Sequence, residues 1–392
     1  MRHCYVRSRA RSDAVLGVPA TRRRWHRCAR RRPRAGHATC RARGRRVQPA
    51  PPRRARRRGG RRRAGAARRP CAAVVARRRP GGSHGLCQPP VGAAGAKLGP
   101  WRPEVVHAHD WLVAWAGDSL KTLLGVPLVA TIHATERGRH GGHLPPGLPG
   151  TINSVEWWLT YQAREVIACS RFMAREVVHS FELPSSKVHL VPNGIDTHRW
   201  QLPPGAAEAR REPLVVAWGR IQYEKGFQVL ARAVSELRQR VPGIRCVIAG
   251  RGSYLPELQT QIDMEGVSDI VQLAGFVADE QLHEMLQRAS CVVIPSLYEP
   301  FGIVALEGMA AGAPTIAART GGLAEIIEGT DAGMLFEPGN HHELAECIAD
   351  VLADPAAADL MRANAATLLR KTYTWDAVAT ETVQVYRTAL SY

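Results

Sequence analysis

The chain has 392 residues and a formal charge of +20, spread very unevenly. Residues 1–100 hold 30 Lys and Arg against one acid, Asp13; residues 101–392 hold 24 against 33, so a mildly acidic globular protein follows a very basic leader. No apolar run approaches the ~18 residues a membrane span needs; the odd total of nine cysteines argues against a disulfide framework, and none shows metal-ligand spacing.

The length suits two or three domains. Cys169, Cys246 and Cys291 fall in apolar strand-like runs and Cys347 in a helical one, as buried reduced thiols of a cytoplasmic protein would. The leader has no apolar block long enough for a secretory signal and too little Ser for a transit peptide.

In the leader, Arg, Ala, Gly and Pro make up 69 of 100 residues. Such a segment buries too little apolar surface to offset its ordering entropy, and disorder is expected. Three readings are open. A nucleic-acid-binding arm has the right charge but almost no aromatics for stacking, only Tyr5 and Trp25. A solvated tail without function is the second. The third is a shifted reading frame, since these four residues are what GC-rich DNA yields out of frame. Shifting Val18–Arg31 by one base permits a string containing Val-Val-Gly-Gly-Ile-Gly, a strand end and glycine-rich turn suited to phosphate.

From about Trp101 the text alternates strand and helix. Strands are predicted at Val105–Ala108, Pro127–Ile132, Glu165–Ala168, Val188–Val191, Leu214–Ala217, Ile244–Ala249, Ile270–Ala274, Cys291–Ile294, Pro314–Ala317 and Met334–Phe336. Most are short and apolar without alternation, the pattern of buried parallel strands. Helical stretches include Phe227–Arg240, Glu280–Ala289, Ile303–Ala311 and His341–Leu352. This order implies an α/β protein with doubly wound sheets. A break near Asp196–Glu212 contains Pro203-Pro-Gly205. Only four strands precede it, with an unpaired edge, and about six follow. The final segment, Trp375–Tyr392, reads as a helix able to return to the first domain.

His107-Ala-His-Asp-Trp111 ends one strand and Thr131-Ile-His133 the next, bringing polar groups to a C-terminal rim, where ligands bind in open α/β sheets. A metal site from these residues lacks a completing carboxylate cluster. Pro192-Asn-Gly-Ile-Asp196 marks the crossing to the link. Trp218-Gly-Arg220 and Glu224-Lys-Gly226 set Arg220 and Lys225 five residues apart on a strand-to-helix loop, two cations suited to a diphosphate or simply an exposed charged turn. Gly275-Phe276 ends another strand and can offer backbone groups to a base. The run Glu299-Pro-Phe-Gly-Ile-Val-Ala-Leu-Glu307 places Glu299 at a strand's C-terminal rim, Gly302 near a buried helix start and Glu307 about two turns in. Arg319-Thr-Gly-Gly-Leu323 opens another helix; Gly321 and Gly322 allow close backbone approach, in a ligand site or a plain turn.

Taken in order, HAHDW, TIH, PNGID, GRIQYEKG, EPFGIVALE and RTGGL resemble glycosyltransferase family 4, most of all its bacterial glycogen-synthase-like α-glucosyltransferases. The resemblance covers roughly 101–392. It implies a GT-B fold, two Rossmann-like domains facing a cleft, with the N-terminal one incomplete. Residues 101–199 would form the acceptor-side domain, joined by the helix of 375–392, and residues 200–374 the nucleotide-sugar domain. It implies that Arg220 and Lys225 neutralise the donor diphosphate, that Glu299 positions the sugar and that Glu307 holds the ribose. Backbone near Phe301, Gly302, Ile303, Gly321 and Gly322 would approach sugar or phosphates, His133 would lie near the transferred hexose, and His109 and Asp110 near the acceptor. A nucleotide sugar (ADP-glucose or UDP-glucose), a glucan or other sugar acceptor and retention of anomeric configuration follow, with no metal or other cofactor required. The family's N-terminal glycine-rich loop has no counterpart in the leader as written, so impaired activity of this literal chain is expected. A hexose other than glucose, a lipid or small acceptor, or a sugar-nucleotide-binding role without turnover are the alternatives.

Overall fold

The computed structural model describes residues 73–75, 101–200 and 212–391. The leader, expected to be disordered or frame-shifted, and the link at Pro203-Pro-Gly205 lie outside the described residues, save for 73–75.

The first sheet is parallel, with strands in the order β1 (Ala73–Val75), β2 (Val105–His109), β3 (Leu128–Ile132), β4 (Glu165–Ala168) and β5 (Val188–Leu190). Strand β1 corrects the sequence reading, which had four strands and an open edge. Ala73 pairs with Val105 and Val75 with His107. An edge strand presents unpaired N–H and C=O groups, and a short apolar stretch within the Arg-rich text meets them. Strands β2, β3 and β4 are almost wholly buried, which explains their continuous apolar runs.

The helices of this half are α1 (Ala114–Leu124), α2 (Glu136–Arg139), α3 (Leu148–Gln162), α4 (Arg171–Phe181) and α5 (Thr197–Trp200). The chain's last helix, α13 (Trp375–Leu390), packs here as well. Val378, Val385, Tyr386 and Ala389 share one core cluster with Val105, Val129 and Ile167.

The second sheet contains β6 (Glu212–Arg220), β7 (Arg245–Arg251), β8 (Val271–Gly275), β9 (Ala289–Ile294), β10 (Thr315–Ala318) and β11 (Met334–Phe336), ordered β11-β10-β9-β6-β7-β8. The order reverses between β6 and β9, the switch point at which ligands bind in such sheets. Helices α6 (Phe227–Leu237), α7 (Leu255–Met264), α8 (Asp279–Arg288), α9 (Ile303–Ala310) and α10 (Gly321–Ile327) connect the strands, and α11 (His341–Ala353) and α12 (Pro355–Thr372) follow β11. Strand β6 runs three residues beyond its predicted end. Gly219 pairs with Gly250, and a Cβ on Gly250 would lie 1.8 Å from the Gly219 carbonyl oxygen. Glycines that look like turn residues in the sequence thus permit close strand pairing.

Candidate active site

Arg220 is the last residue of β6, and the chain then makes a 3-10 turn over Tyr223–Lys225 before α6. Across the switch point, β9 leads into the loop of Glu299. Backbone bonds tie the two loops, with Leu297 N–H donating to the Glu224 carbonyl at 2.8 Å. Gly226 makes the approach possible: its φ is 69°, and a Cβ there would meet the Pro295 carbonyl oxygen at 1.8 Å. With the loops so held, Lys225 Nζ lies 2.7 Å from Glu299 Oε2, which also accepts from Ser296 Oγ at 3.3 Å.

Arg220 is half-exposed and lies 3.7 Å from Glu224 Oε1. Partial burial lowers its pKa, the nearby Arg139 guanidinium lowers it further, and Glu224 and Glu299 act the other way. Arg220, Lys225 and Glu299 therefore share one electrostatic neighbourhood, and Arg139, on α2 of the other half, joins it. Glu307 lies in the second turn of α9, 6% exposed, and accepts from Trp218 Nε1 at 3.1 Å. Trp218 precedes Arg220 by two residues, so the indole links the carboxylate to the same strand end.

Other predicted donor-side residues behave differently. The Phe301 side chain is buried edge-on against Tyr373, with centroids 6.0 Å apart, leaving only its backbone for a ligand. Gly302, at φ 108°, caps α9, and a Cβ there would strike Leu323 at 2.5 Å. Ile303, half-buried, is the first residue of α9. Gly321 and Gly322 admit the Glu299 loop itself: added Cβ atoms would lie 2.0 Å from the Glu299 carbonyl oxygen and 2.4 Å from Phe301 Cα. Gly322 N–H is spent on that carbonyl at 3.0 Å, so it supports the loop instead of facing a ligand. Gly275 ends β8, two strands from β6 and so about 10 Å away. There φ is 65°, with open space beside it, and Arg251 lies 5.6 Å over the exposed Phe276 ring.

The first half contributes His109, Asp110 and His133, which the structure brings together. His109 Nδ1 lies 3.0 Å from His133 Nε2, and the rings stack with centroids 5.3 Å apart. Asp110 Oδ1 accepts from His133 N–H at 2.8 Å. Asp110 holds φ 60°, an unfavourable conformation for a residue other than glycine. His107 is structural: its ring nitrogens bond Tyr386 Oη at 2.8 Å and Thr131 Oγ1 at 2.7 Å, and burial lowers its pKa from 6.5 to about 3. With both nitrogens used, it is no metal ligand.

The two loop systems meet over β4. The Cys169 thiol lies 3.9 Å from both the His133 and Pro300 carbonyl oxygens, and Ser170 Oγ donates to the latter at 2.6 Å. Glu325 of α10 accepts from the Arg171 and Phe172 N–H groups at 2.8 and 2.6 Å, so one half's carboxylate caps the other half's helix. Tyr298 Oη donates to Glu176 at 3.1 Å, and Thr135 bonds the same carboxylate. A Cβ on Gly138 would lie 2.3 Å from Tyr298 Oη. Burial raises the pKa of both Glu176 and Tyr298, and the Glu176 charge adds to the latter.

Sequence reasoning missed Arg139, Tyr298, Glu325 and the role of Trp218; the last stood in a quoted motif, next to Gly219-Arg220. It also missed Glu156, whose two carboxylate oxygens lie 3.1 and 3.0 Å from Glu136 N, which donates to them. Burial raises the Glu156 pKa from 4.5 to about 8, against the Glu136 N–H bond, and Asp110 and Glu136 add to the rise. A folded-state pKa above the unfolded one means stability present below about 4.5 and lost as pH rises through about 8. His107 has the opposite sign, and its contribution falls as pH drops from 6.5 towards 3. Glu156→Gln is expected to flatten the alkaline loss and leave the acid limb unchanged, read from urea midpoints between about pH 4 and pH 9. An unchanged alkaline limb would remove Glu156 as its source.

The two parallel α/β sheets, with cations and a carboxylate at the second sheet's switch point and histidines at the first sheet's rim, form a GT-B architecture. Residues 22–199 match the family described as Glycosyltransferase Family 4, and residues 199–368 match Glycosyl transferases group 1. The first match begins inside the basic leader, ahead of residue 101, where the motif resemblance starts. A glycogen synthase of Mycobacterium tuberculosis is 39% identical over 290 residues, 74% of this chain and 70% of its own length. An uncharacterized glycosyltransferase of Methanocaldococcus jannaschii is 37% identical over 306 residues, covering 75% and 77%. A D-inositol 3-phosphate glycosyltransferase of Streptomyces avermitilis is 31% identical over 326, covering 79% and 69%. The fold is shared with sucrose-phosphate synthase from Thermosynechococcus elongatus, at TM-score 0.64 and 24% identity over 76% of each chain. It is likewise shared with Anabaena HepE in complex with UDP-glucose, at TM-score 0.64 and 24% identity over 77% and 82%. The chain belongs to glycosyltransferase family 4.

Proposed function

We propose that the protein is a retaining hexosyltransferase that moves glucose from a nucleoside diphosphate sugar to an α-glucan or related acceptor in the cytoplasm. The observation that carries this reading is the joining of Arg220, Lys225 and Glu299 at the switch point of the second sheet. Cleaving the anomeric bond develops positive charge on the sugar and negative charge on the departing diphosphate. Arg220 and Lys225 stabilise that anion without calling on a metal ion. On donor binding Lys225 exchanges Glu299 for phosphate, and Glu299 is then free to accept from sugar hydroxyls. Glu307, oriented by Trp218, accepts from the ribose, and backbone groups near Gly302, Ile303 and Gly321 approach the sugar or phosphates. His133 faces the hexose, with His109 and Asp110 on the acceptor side. The leaving phosphate oxygen takes the acceptor proton, and attack on the same face retains configuration.

The identity to a glycogen synthase favours glucose and a glucan. The D-inositol 3-phosphate glycosyltransferase relatives favour a second reading, another hexose on a small acceptor. Among the described residues no helix is long and apolar enough to cross a membrane.

The test supplies the purified chain with ADP-, UDP- and GDP-linked hexoses, each with glycogen or a small polyol acceptor, in EDTA. Glucose transfer to glycogen with retained configuration is the expected result. Transfer only to the small acceptor would favour the second reading; donor binding without turnover would favour a binding protein. We also propose that the leader is read out of frame, so that restoring the frame raises activity; equal activity of both forms would refute this.

A further inference from the structure

A second cluster of ligating side chains lies on the second half, away from the cleft. Glu236 is the penultimate residue of α6, and His341 and His342 are the first two residues of α11. The helices are held side by side by a shared core that includes Leu230, Val234, Leu344 and Ile348. Above that core, the carboxylate of Glu236 meets both imidazoles: one oxygen bonds His341 Nδ1, and the other lies 2.8 Å from His342 Nδ1. The two rings are 4.1 Å apart between centroids. One ligand atom from each residue falls within 4.8 Å of the others.

We propose that Glu236, His341 and His342 form a divalent-cation site, for which zinc is the best-matched ion. Two imidazole nitrogens and one carboxylate oxygen suit a borderline-soft ion such as Zn²⁺; Mg²⁺ and Ca²⁺ prefer oxygen ligands. Three protein ligands leave the fourth tetrahedral position to water. The pairing already brings both Nδ1 atoms to the one carboxylate, so binding replaces two N–H···O contacts, with each imidazole presenting Nδ1 as a ligand, without rebuilding the helices. The positive end of the α11 dipole opposes a cation there, and the Glu236 charge, contributed from the neighbouring helix, offsets it. Glu236 lies about 15 Å along α6 from Gly226, too far for the ion to take part in glycosyl transfer. Its effect is to fasten the C-terminal end of α6 to the start of α11.

The experiment uses the full chain stripped with EDTA and titrated with Zn²⁺ by calorimetry, beside Glu236→Gln, His342→Ala and the His341→Ala/His342→Ala double variant. Wild type is expected to bind one more Zn²⁺ than the double variant. Affinity at this site should fall at least about tenfold in Glu236→Gln. Zn²⁺ should raise the Tm of wild type and not that of the double variant. The exposed His342 makes its single replacement the variant safest for folding, and the same loss of Zn²⁺-dependent Tm shift is expected from it. Co²⁺ substitution distinguishes this site from the leader cysteines: a nitrogen–oxygen set gives d–d bands without thiolate charge transfer. Equal stoichiometry and equal Tm shifts in all four proteins, or Co²⁺ bands of thiolate type alone, would overturn the proposal.

Discussion

Arg220→Ala is expected to lower kcat by about 10²–10³-fold, the range seen when one preorganised stabiliser of developing charge is removed. Arg220 stands at the end of β6 beside the loop that carries Lys225 and Glu299. Its pKa is lowered first by burial and then by the Arg139 charge, while Glu224 and Glu299 act the other way, so in the free protein the cation is only partly compensated. On the proposed function, a donor diphosphate supplies the remaining compensation, most strongly when the leaving group is fully anionic. The loss should therefore appear in kcat more than in KM. Arg220→Lys should recover only part of it, because an ammonium cannot reproduce the planar fork. Arg220 is half-exposed and its one ion-pair partner is Glu224, four residues on and 3.7 Å away, so its removal should scarcely move the Tm. Normal turnover in a folded Arg220→Ala protein would defeat the assignment.

Gly226→Ala should cost stability and activity together. The φ of 69° is strained for alanine, by about 1–2 kcal/mol. The new Cβ would also stand 1.8 Å from the Pro295 carbonyl oxygen and 2.7 Å from its carbon. Both are backbone atoms, so no rotamer change relieves the overlap, and overpacking adds about 1–3 kcal/mol. Relief requires the two loops to part, which separates Lys225 from Glu299. Gly266→Ala is the matched control: its φ is 67° and nothing lies within 4 Å of an added Cβ. Urea unfolding of both variants isolates the steric part, and activity should fall only in Gly226→Ala. Equal midpoints for the two would refute the loop-contact account.

Much of the architecture was legible because buried parallel strands announce themselves. All ten predicted strands occur, and β4 and β11 have their predicted bounds. Strand β1 was hidden because Ala73–Val75 is brief and set in arginines, and its pairing comes from the waiting edge of β2. Gly219 and Gly250 disguised the ends of β6 and β7, since nothing local tells a pairing glycine from a turning one. At the site, charged residues near strand ends were readable, as Lys225 and Glu299 demonstrate. Phe301 and Gly322 were not, because adjacency along the chain does not reveal that one side chain enters the core or that one N–H is spent on Glu299. Arg139, Glu156 and Glu325 owe their positions to contacts between distant segments, for which a single sequence carries no local signal.

The carboxylate of Glu325 has a mechanical corollary. It lives on one lobe, while the peptide hydrogens it satisfies begin a helix of the other. Prising the lobes apart along this seam would strand a charge and bare a helix start. Any relative motion of the lobes is therefore expected to keep this seam closed.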